Sequence, residues 1–361
     1  MPEAYKALQR GAALVDWERV GRVLVIRLRS IGDTVLCTPT LRVLREQLPD
    51  SRIDVLLEEW VAPLLAGHES VDSVITVGND ARARLRTALE LRNTRYDVVV
   101  NLHGGTTSTF LTRASGARYR IGSSSYQFPF LYNVRLPSPQ EFWGRDEVHS
   151  AEVQLAVAGH AGIEVERRPD SELPINEPAS RMIDARLGAI GLSGSSIALI
   201  HPVAALFTKQ WPTRSFAKIA EKLEMEGLKP VAVATESEAG VLDALRELTR
   251  STVKTFSDLT LPEITELARR ASVFVGTDSG IAHIAAAVGT PPLVIFGSSN
   301  RDHWRPWTRA PYRIVFDEYD CQPCSGYECR EFGDAPCINR LSVSKVAKTL
   351  DELLDEMQLK P

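Results

Sequence analysis

The chain has 361 residues, of which 44% are hydrophobic and 24% are charged, and its formal net charge is −4. This length is sufficient for about two domains with well-formed cores, and the composition is typical of a globular protein. A net negative charge argues against a general nucleic-acid-binding protein, which is normally basic. Residues 1–20 show no signal-peptide pattern and no apolar run reaches membrane-spanning length, so we expect a cytoplasmic protein with reduced cysteines.

The first half of the chain alternates short apolar strands with helical patterns. A polar-faced helix is expected up to about Glu18, and residues 22–28 form the first predicted strand. The next helical pattern contains Pro39, which predicts either one kinked helix that starts near Asp33 or a second helix capped by Thr38. In both cases Asp33 lies at the mouth of a strand-to-helix loop, where it either caps the helix or faces a ligand.

An arginine-rich helix and a hydrophobic strand follow. Residues 53–57 and 74–77 are further strands, and residues 82–95 form a helix with five arginines. That helix has either an ordinary solvated face or a surface that attracts an anionic acceptor or anionic lipid headgroups. Residues 96–102 form a strand of the kind that parallel sheets bury on both faces. The strand ends in His103 and two glycines, which either allow a ligand close to the backbone or form a plain tight turn.

Residues 123–145 are predicted to form a long irregular loop with several aromatic side chains. A loop of this length inside a compact domain is more often functional than idle. Arg118 and Arg120 precede the loop, and residues 149–161 form a helix after it. Prolines and acidic residues over 168–180 then indicate a linker.

The second half repeats the alternation. Its predicted strands are residues 197–201, 231–234, 253–256 and 293–296, and its predicted helices are residues 215–225, 236–248, 262–271 and 342–357. We therefore predict an N-terminal domain of residues 1–172 and a C-terminal domain of residues 173–361, with the possibility that the final helix packs back on the N-terminal domain. The two alternations predict an α/β fold of two Rossmann-like, doubly wound domains that face a cleft.

Residues 273–289 predict a strand, a polar turn and an alanine-rich helix that Asp278 or Ser279 caps. Unpaired N–H groups near Gly280 and the helix dipole favour an anion at this end, and His283 shares a face of the first turn with Ser279. A capped helix after a strand is also ordinary α/β architecture, and His283 can equally be packed against its own helix. The position of these polar residues, at the carboxyl end of a strand, favours a ligand site.

Several common nucleotide-binding and hydrolase motifs are absent from the sequence: Gly-x-Gly-x-x-Gly after a first strand, the P-loop, and Gly-x-Ser-x-Gly. What remains is the carboxylate of Asp33 in the first domain, with Lys209 and the helix start at Ser279 in the second. A base opposite an anion-binding loop suits displacement of a diphosphate by an attacking hydroxyl. Lys209 is otherwise an ordinary surface lysine. No Asp-x-Asp pair is present to hold a divalent metal, and we expect no metal and no cofactor.

Four cysteines are clustered near the C-terminus, at positions 321, 324, 329 and 337. One Cys-x-x-Cys pair is present, but the paired knuckles of a zinc ribbon are not. The cluster is therefore either a metal site or a set of buried thiols, of which the second is the simpler hypothesis. Cys37 stands apart and is predicted to belong to the core.

From residue 23 to about residue 346 the chain resembles the ADP-heptose:lipopolysaccharide heptosyltransferases, glycosyltransferase family nine. The motifs that carry the resemblance are residues 27–33 (Arg-Leu-Arg-Ser-Ile-Gly-Asp) before Thr38 and Pro39, residues 209–212 (Lys-Gln-Trp-Pro), residues 276–280 (Gly-Thr-Asp-Ser-Gly) with His283, and Phe296-Gly297. The cysteine segment also resembles a tail seen in many members. Val203-Ala204-Ala205 and Asn101 depart from the family pattern, which often has hydroxyl or glycine groups and an aspartate there.

The resemblance implies a GT-B fold and a metal-independent, inverting transfer of heptose from an ADP-sugar donor to a lipopolysaccharide core or other glycolipid acceptor. It implies peripheral contact with the inner membrane. Asp33 would be the general base and Lys209 would bind the donor phosphates. Glu236 would hold the donor ribose, with Glu238 as its rival. Further donor contacts are expected at Asp278, Ser279, Gly280 and His283.

Acceptor contacts are expected at Ser30, Gly32, His103, Arg118 and Arg120.

Two alternative functions stay open. One is a sugar-nucleotide epimerase or hydrolase of similar fold, which would consume the donor without an acceptor. The other is a non-catalytic nucleotide- or metal-binding module built on the cysteine cluster.

Overall fold

The computed structural model describes residues 15–324 and 327–358. The chain divides into two compact units, Met1–Pro174 and Ile175–Pro361. Most of the predicted N-terminal helix falls on residues 1–14, outside the described residues, and its end is a single 3-10 turn, Trp17–Arg19. The segment between the units has no regular structure until the helix that begins at Glu177, as expected for a linker rich in proline and acidic residues.

The first unit contains a parallel sheet. Its strands in the described residues are β1 (Arg22–Ile26), β2 (Arg52–Glu58), β3 (Ser73–Val77), β4 (Val98–Asn101), β5 (Tyr119–Ser123) and β6 (Val134–Leu136). They are ordered β3-β2-β1-β4-β5-β6, and every neighbouring pair is parallel. All four residues of β4 are buried, because helices cover both faces of the sheet.

Six helices accompany this sheet in the described residues: α1 (Ile31–Val35), α2 (Thr38–Gln47), α3 (Ala81–Thr94), α4 (Thr106–Ala114), α5 (Pro139–Trp143) and α6 (Ser150–His160). Of the two arrangements predicted around Pro39, the structure has two separate helices. Thr38 does not cap the second helix, since the N-cap is Cys37 and the Thr38 hydroxyl donates to the carbonyl of Val35 at 2.8 Å. The proline sits in the first turn of α2, where its missing N–H costs nothing.

The prediction that residues 123–145 form one irregular loop is wrong. This segment contains the edge strand β6, a 3-10 turn at Pro129–Leu131 and the helix α5. The strand has only three residues, and it is too short to produce a recognisable alternation of buried and exposed side chains. The helix is capped by Ser138, whose hydroxyl accepts from the Glu141 N–H at 3.3 Å.

The second unit repeats the topology of the first. Its strands in the described residues are β7 (Ile197–His201), β8 (Lys229–Val233), β9 (Lys254–Phe256), β10 (Ala271–Thr277), β11 (Pro292–Ile295) and β12 (Arg313–Val315). They are ordered β12-β11-β10-β7-β8-β9 and are all parallel. Its helices are α7 (Glu177–Ala189), α8 (Thr213–Met225), α9 (Ala239–Leu248), α10 (Leu261–Arg270), α11 (Gly280–Ala287), α12 (Arg301–Trp304), α13 (Pro336–Asn339) and α14 (Val343–Gln358).

The final helix, α14, packs on the second unit. Its apolar side chains Val346, Leu350 and Leu353 are buried in the same core as Trp211 and Phe216. Each such aliphatic side chain contributes about 1.5–3 kcal/mol when it is fully buried. The apolar face that the sequence predicted for this helix is therefore satisfied by the core of its own unit. Within the described residues, none of the helices combines the length and the apolar character that a bilayer crossing requires.

Candidate functional site

In both sheets the direction of strand order reverses next to the first strand, between β1 and β4 and between β7 and β10. Doubly wound sheets bind ligands outside the carboxyl ends of their strands at such points, because the following loops diverge there and leave a crevice. The loops after these four strands contain most of the predicted site residues. The two units are described in turn.

In the first unit, Asp33 lies in the first turn of α1, directly after β1, with its side chain about 20% exposed. The alternative that Asp33 merely caps this helix is wrong, because the N-cap is Ser30 and Asp33 is within the helix. Its carboxylate forms an ion pair with Arg27 and accepts a hydrogen bond from the Ser30 hydroxyl at 3.1 Å. Gly32 is buried beside it. The predicted base is therefore held in place by two partners.

Arg27 is a site residue that the sequence analysis did not single out. The residue is 8% exposed, and its guanidinium donates from Nη1 to the Leu102 carbonyl at 3.1 Å and to His103 Nδ1 at 3.2 Å. One buried cation thus connects Asp33, after β1, to the loop after β4. Burial first, and the nearby Arg27 charge second, lower the pKa of His103, which fits an imidazole that accepts from Arg27. Only the sheet order could have revealed this pairing.

The loop after β4 is organised by Asn101. Its Oδ1 accepts from the backbone N–H of His103 at 2.9 Å and of Gly104 at 3.1 Å, while its Nδ2 donates to Thr112 and Tyr132. Gly104 has φ +74°, and an added Cβ would come within 2.3 Å of the Tyr126 ring. The sequence left open whether these glycines allow a ligand close to the backbone or form a plain tight turn. The tight turn is sufficient to explain Gly104.

Arg118 and Arg120 are not brought together with Asp33. Arg118 precedes β5 and Arg120 is its second residue, so both lie towards the amino-terminal edge of the parallel sheet, whereas Asp33 and His103 follow the carboxyl ends of β1 and β4. Arg118 lies over the Tyr119 ring at 5.0 Å, and Arg120 donates to the carbonyls of Leu131 and Ala117. These contacts give both arginines a structural role, and we do not carry them into the proposal below.

In the second unit, the loop after β7 is held by Gln210. Its Nε2 donates to the Pro202 carbonyl at 2.7 Å and its Oε1 accepts from the Ala204 N–H at 2.8 Å. The neighbouring Trp211 is fully buried and its indole N–H donates to the Leu341 carbonyl at 3.1 Å. The Lys-Gln-Trp-Pro motif therefore fixes a loop that presents Lys209, and the Ala204 amide is used inside that loop.

Gly297 explains the Phe-Gly motif. A Cβ built at this position would lie 2.2 Å from the Thr208 carbonyl oxygen, which is one residue before Lys209. The Ser298 N–H donates to the same carbonyl at 3.3 Å, and the hydroxyls of Thr208 and Ser298 are 2.9 Å apart. Glycine is required because the backbone after β11 packs directly against the lysine loop.

Lys209 and Asp278 meet in this unit. The ammonium Nζ is 2.8 Å from Asp278 Oδ2, and the two side chains are 23% and 6% exposed. Asp278 follows β10, and its N–H donates to the Ile295 carbonyl at 3.1 Å. The lysine thus lies beside the start of α11, and the ion pair holds it at the carboxyl edge of the sheet.

Ser279 is the N-cap of α11 but forms no side-chain cap hydrogen bond. Its hydroxyl instead lies 3.2 Å from His201 Nδ1, at the end of β7. Burial lowers the pKa of His201 from 6.5 to about 4, so the imidazole is neutral near pH 7. His201 is a second residue that the sequence analysis missed. Because no side chain caps α11, the first N–H groups of the helix, beginning at Gly280, are available to an anion.

His283 is buried in α11 and packs against an aromatic ring. It is 5% exposed, and its ring lies 6.3 Å from the Trp304 ring in an edge-to-face arrangement. The structure therefore places it as a packed histidine of α11, one turn after Ser279. It supports the helix that carries the predicted donor contacts.

The two candidate ribose-binding glutamates differ in their surroundings. Glu238 accepts from both the N–H and the hydroxyl of Thr235, at 3.1 and 2.6 Å, in a capping box after β8. Glu236 is exposed and, among the described residues, forms no hydrogen bond or ion pair through its carboxylate. Glu236 therefore has both carboxylate oxygens available to a ligand, whereas the Oε2 of Glu238 is already bonded within the loop.

The clustered cysteines are free thiols in the described residues, and Cys37 lies in the core of the first unit as expected. Burial, and then the neighbouring thiols, raise the pKa of Cys337 to about 11. Cys321, Cys324 and Cys329 line a cavity of about 280 Å³. Within residues 15–324 and 327–358, no three His, Cys, Asp or Glu side chains are arranged to hold a metal ion.

The second-unit site can bind an anion such as a diphosphate through Lys209 and the free N–H groups of α11. The carboxylate of Asp278 lies beside Lys209 and can accept a hydrogen bond from a sugar hydroxyl. The first-unit site presents a positioned carboxylate that can accept a proton from an attacking hydroxyl. Two chemically different sites thus occupy corresponding positions in the two units.

Comparison with known proteins identifies the family. The sequence model of "Glycosyltransferase family 9 (heptosyltransferase)" matches residues 84–333, more than half of the chain. Among curated proteins, lipopolysaccharide heptosyltransferase 3 of Escherichia coli K12 is 28% identical over 316 residues, which cover 82% of this chain and 88% of that protein.

Solved structures confirm the α/β GT-B fold. A glycosyl transferase family 9 protein from Veillonella parvula superposes with a TM-score of 0.84 at 22% identity and covers 95% of this chain and 98% of its own. The ADP-heptose lps heptosyltransferase II of E. coli superposes with a TM-score of 0.77 at 20% identity and covers 93% of this chain and 99% of its own.

These matches decide between the hypotheses left open by the sequence. They support a glycosyltransferase and give no support to a non-catalytic module or to an epimerase or hydrolase. The chain belongs to glycosyltransferase family 9, the heptosyltransferase family.

Proposed function

We propose that the enzyme transfers heptose from ADP-heptose to a lipopolysaccharide core acceptor, without a metal ion and with inversion at the anomeric carbon. The observation that carries the proposal is the group formed by Lys209, Asp278 and the uncapped start of α11. This group provides a cation and free N–H groups where a diphosphate would leave. The relatives support the sugar and the acceptor, since the E. coli proteins are named as lipopolysaccharide and ADP-heptose heptosyltransferases.

The second unit would bind the donor. Lys209 would leave its ion pair with Asp278 to contact the diphosphate, and the N–H groups that begin at Gly280 would contact the same oxygens. Ser279 and Asp278 would contact the donor from the turn before α11, and His283 would support that helix. The free carboxylate of Glu236 would accept hydrogen bonds from the ribose. Lysine replaces the charge that a divalent metal would otherwise supply.

The first unit would supply the base. Asp33 accepts the proton of the acceptor hydroxyl as that hydroxyl attacks the anomeric carbon, and the ADP leaving group departs from the opposite face. A single displacement of this kind inverts the anomeric configuration. Arg27 and Ser30 hold the carboxylate in place. Acceptor contacts would come from Ser30, the Gly32 backbone and the neutral imidazole of His103.

The experiment uses the purified full chain with ADP-heptose and a lipopolysaccharide core acceptor that lacks heptose. The proposal requires formation of a heptosylated acceptor and ADP, full activity in the presence of EDTA, and the opposite anomeric configuration in the product by NMR. In a thermal-shift series, ADP should stabilise the protein more than UDP or GDP. Release of ADP without heptosylated acceptor, or retention of configuration, would contradict it.

A further inference from the structure

The first unit exposes a group of large apolar side chains on two helices and one loop. They are Leu85, Leu89, Phe110, Phe128 and Phe130, with exposed fractions of 63%, 57%, 54%, 39% and 72%. We call this group the apolar patch. Exposed side chains of this size scattered singly are ordinary, but a contiguous patch marks an interaction surface.

The patch is contiguous. Leu85 and Phe110 line one groove of about 300 Å³ between α3 and α4. The Phe110 ring lies 5.5 Å from the Phe128 ring, which lies 6.3 Å from the Phe130 ring. Leu89 is one turn after Leu85 on the same face of α3. Two helices and the loop after β5 therefore contribute to one apolar surface.

Arginines surround the patch. At 100° per residue, Arg82 and Arg86 of α3 lie on one side of the Leu85–Leu89 row and Arg92 lies on its other side, while Thr87 and Leu91 face the protein and are buried. Arg113 of α4 is exposed as well. Helix α3 with its two caps carries five arginines and two acidic residues, Asp80 and Glu90.

These arginines outnumber the carboxylates of their own helix, although the Asp80 carboxylate at its N-cap lies near Arg84 and Arg86. Within the part of the chain that the structure describes, none of Arg82, Arg84, Arg86 and Arg113 is within ion-pair distance of a carboxylate. The net charge of the whole chain is −4, so this surface has the opposite sign to the protein as a whole. Its excess positive charge is therefore available to an external anionic partner.

The patch adjoins the first-unit site. Helix α4 begins directly after the turn at His103 and Gly104. The Gln127 N–H donates to the Gly104 carbonyl at 3.1 Å, and the Gln127 carbonyl accepts from the Thr109 hydroxyl at 3.1 Å. The loop that carries Phe128 and Phe130 is therefore attached to the loop that carries His103.

We propose that the apolar patch and its arginines dock the enzyme on an anionic phospholipid bilayer. Aromatic and leucine side chains would enter the acyl boundary while the guanidinium groups contact lipid phosphates. Charge complementarity favours a bilayer as the partner. The apolar side chains match the acyl chains, and the arginines around them match the anionic headgroups. The inference extends the proposed function, whose glycolipid acceptor would reside in such a bilayer, but its test contains neither donor nor acceptor.

The experiment measures co-sedimentation of the full chain with vesicles of phosphatidylcholine alone or mixed with phosphatidylglycerol. We expect binding to the mixed vesicles, weaker binding in high salt and little binding to phosphatidylcholine alone. Phe128→Ser with Phe130→Ser should abolish binding. Arg82→Gln with Arg86→Gln should weaken it by about fivefold per arginine. All four side chains are exposed, so these variants should retain the melting temperature of the parent protein.

Matched controls come from the second unit. Met182→Ser with Met225→Ser removes two side chains that are 50% and 77% exposed, and Arg181→Gln with Arg246→Gln removes two exposed cations. Neither control should change vesicle binding. The inference is overturned if the parent protein does not sediment with the anionic vesicles, or if the controls lose as much binding as the patch variants. The inference is also overturned if the patch serves only to dimerise the chain. In that case the parent protein would be a dimer that does not bind vesicles, and the Phe128→Ser, Phe130→Ser variant would be a monomer. Failure of heptosyl transfer with intact vesicle binding would count against the proposed function alone.

Discussion

One ion pair defines the site in each unit. Arg27 is buried and shared between Asp33 and the loop after β4, and Lys209 is paired with Asp278. A buried or half-buried charge is stable only when it is paired and hydrogen-bonded, so each ion pair holds its charged groups at a fixed position. In the first unit the pair holds the carboxylate that we propose as the base, and in the second it keeps a cation beside a helix start.

The Lys209–Asp278 pair gives a prediction at this scale. Replacing the lysine in Lys209→Met should weaken ADP binding about tenfold or more, because a charge-assisted contact to the diphosphate is lost. It should also lower the melting temperature, since Asp278 is only 6% exposed and would be left without its partner. Calorimetric titration with ADP and thermal denaturation measure the two effects.

The double variant Lys209→Met with Asp278→Asn separates these effects. It should recover stability while ADP binding stays weak. Lys218→Met, which removes an exposed lysine of α8, serves as the control and should leave both quantities unchanged. ADP affinity equal to that of the parent protein in Lys209→Met would remove the lysine from the donor site.

His201 predicts a pH dependence of stability. Its folded pKa of about 4 is below the unfolded value of 6.5, so between these values the unfolded chain binds a proton that the folded chain excludes. The free energy of unfolding should therefore fall as the pH is lowered through this window, by at most about 1.4 kcal/mol per pH unit for one proton. Urea denaturation across this range should show a shallower pH slope for His201→Asn than for the parent protein. Equal slopes would show that His201 does not titrate as inferred.

The residues that sequence reasoning missed have a common cause. His201 and Ser279 are 78 positions apart in the chain, and Arg27 and His103 are 76 apart. Each pair meets only because β7 lies beside β10 and β1 lies beside β4. Residues such as Asp33, Lys209 and Asp278 were singled out from continuous motifs, whereas the contacts of Arg27 with His103 and of His201 with Ser279 could not be found from the sequence.

At the scale of elements, long strands and capped helices were predictable and short ones were not. The strand Ile197–His201 has the bounds that the sequence predicts, and β10 and α11 follow the expected order. Strand β6 was missed because three residues are too few to show an alternation of buried and exposed side chains. Helices α1 and α2 could not be separated because Pro39 is compatible with a kink inside one helix or with the first turn of a second helix.

The contact between the lysine loop and the loop after β11 gives a prediction at the scale of elements. Gly297→Ala should destabilise the protein by about 1–3 kcal/mol, because its Cβ would lie 2.2 Å from the Thr208 carbonyl oxygen. It should weaken ADP binding as well, since Lys209 is the next residue after Thr208. Urea denaturation and ADP titration check both expectations.

Gly240→Ala is the matched control. Gly240 lies in α9, and a Cβ there would meet nothing within 4 Å. This substitution should stabilise the protein by up to about 1 kcal/mol, because alanine is the better helix former. A Gly297→Ala variant as stable as the parent protein would show that the two loops can separate freely.

At the scale of the whole molecule, the two units share one topology and differ in what their crevices contain. Each sheet has the order 3-2-1-4-5-6 when its own strands are numbered along the chain. The doubly wound fold and its two-part organisation follow from the repeated alternation of strands and helices in the sequence. The division of labour, with a carboxylate in one unit and a cation in the other, is the central claim about how the enzyme works.

The replacement Asp33→Asn tests this claim most directly. Asparagine keeps an acceptor for the Ser30 hydroxyl but cannot take up a proton. Heptosyl transfer and ADP affinity are measured on the same protein. Because Arg27 loses its ion-pair partner in this variant, the melting temperature is measured as well, to check that the protein remains folded. We predict that transfer falls by about 10²–10⁴-fold while ADP affinity is unchanged. Transfer at the rate of the parent protein would contradict the role of Asp33 as the base and with it the division of labour between the units.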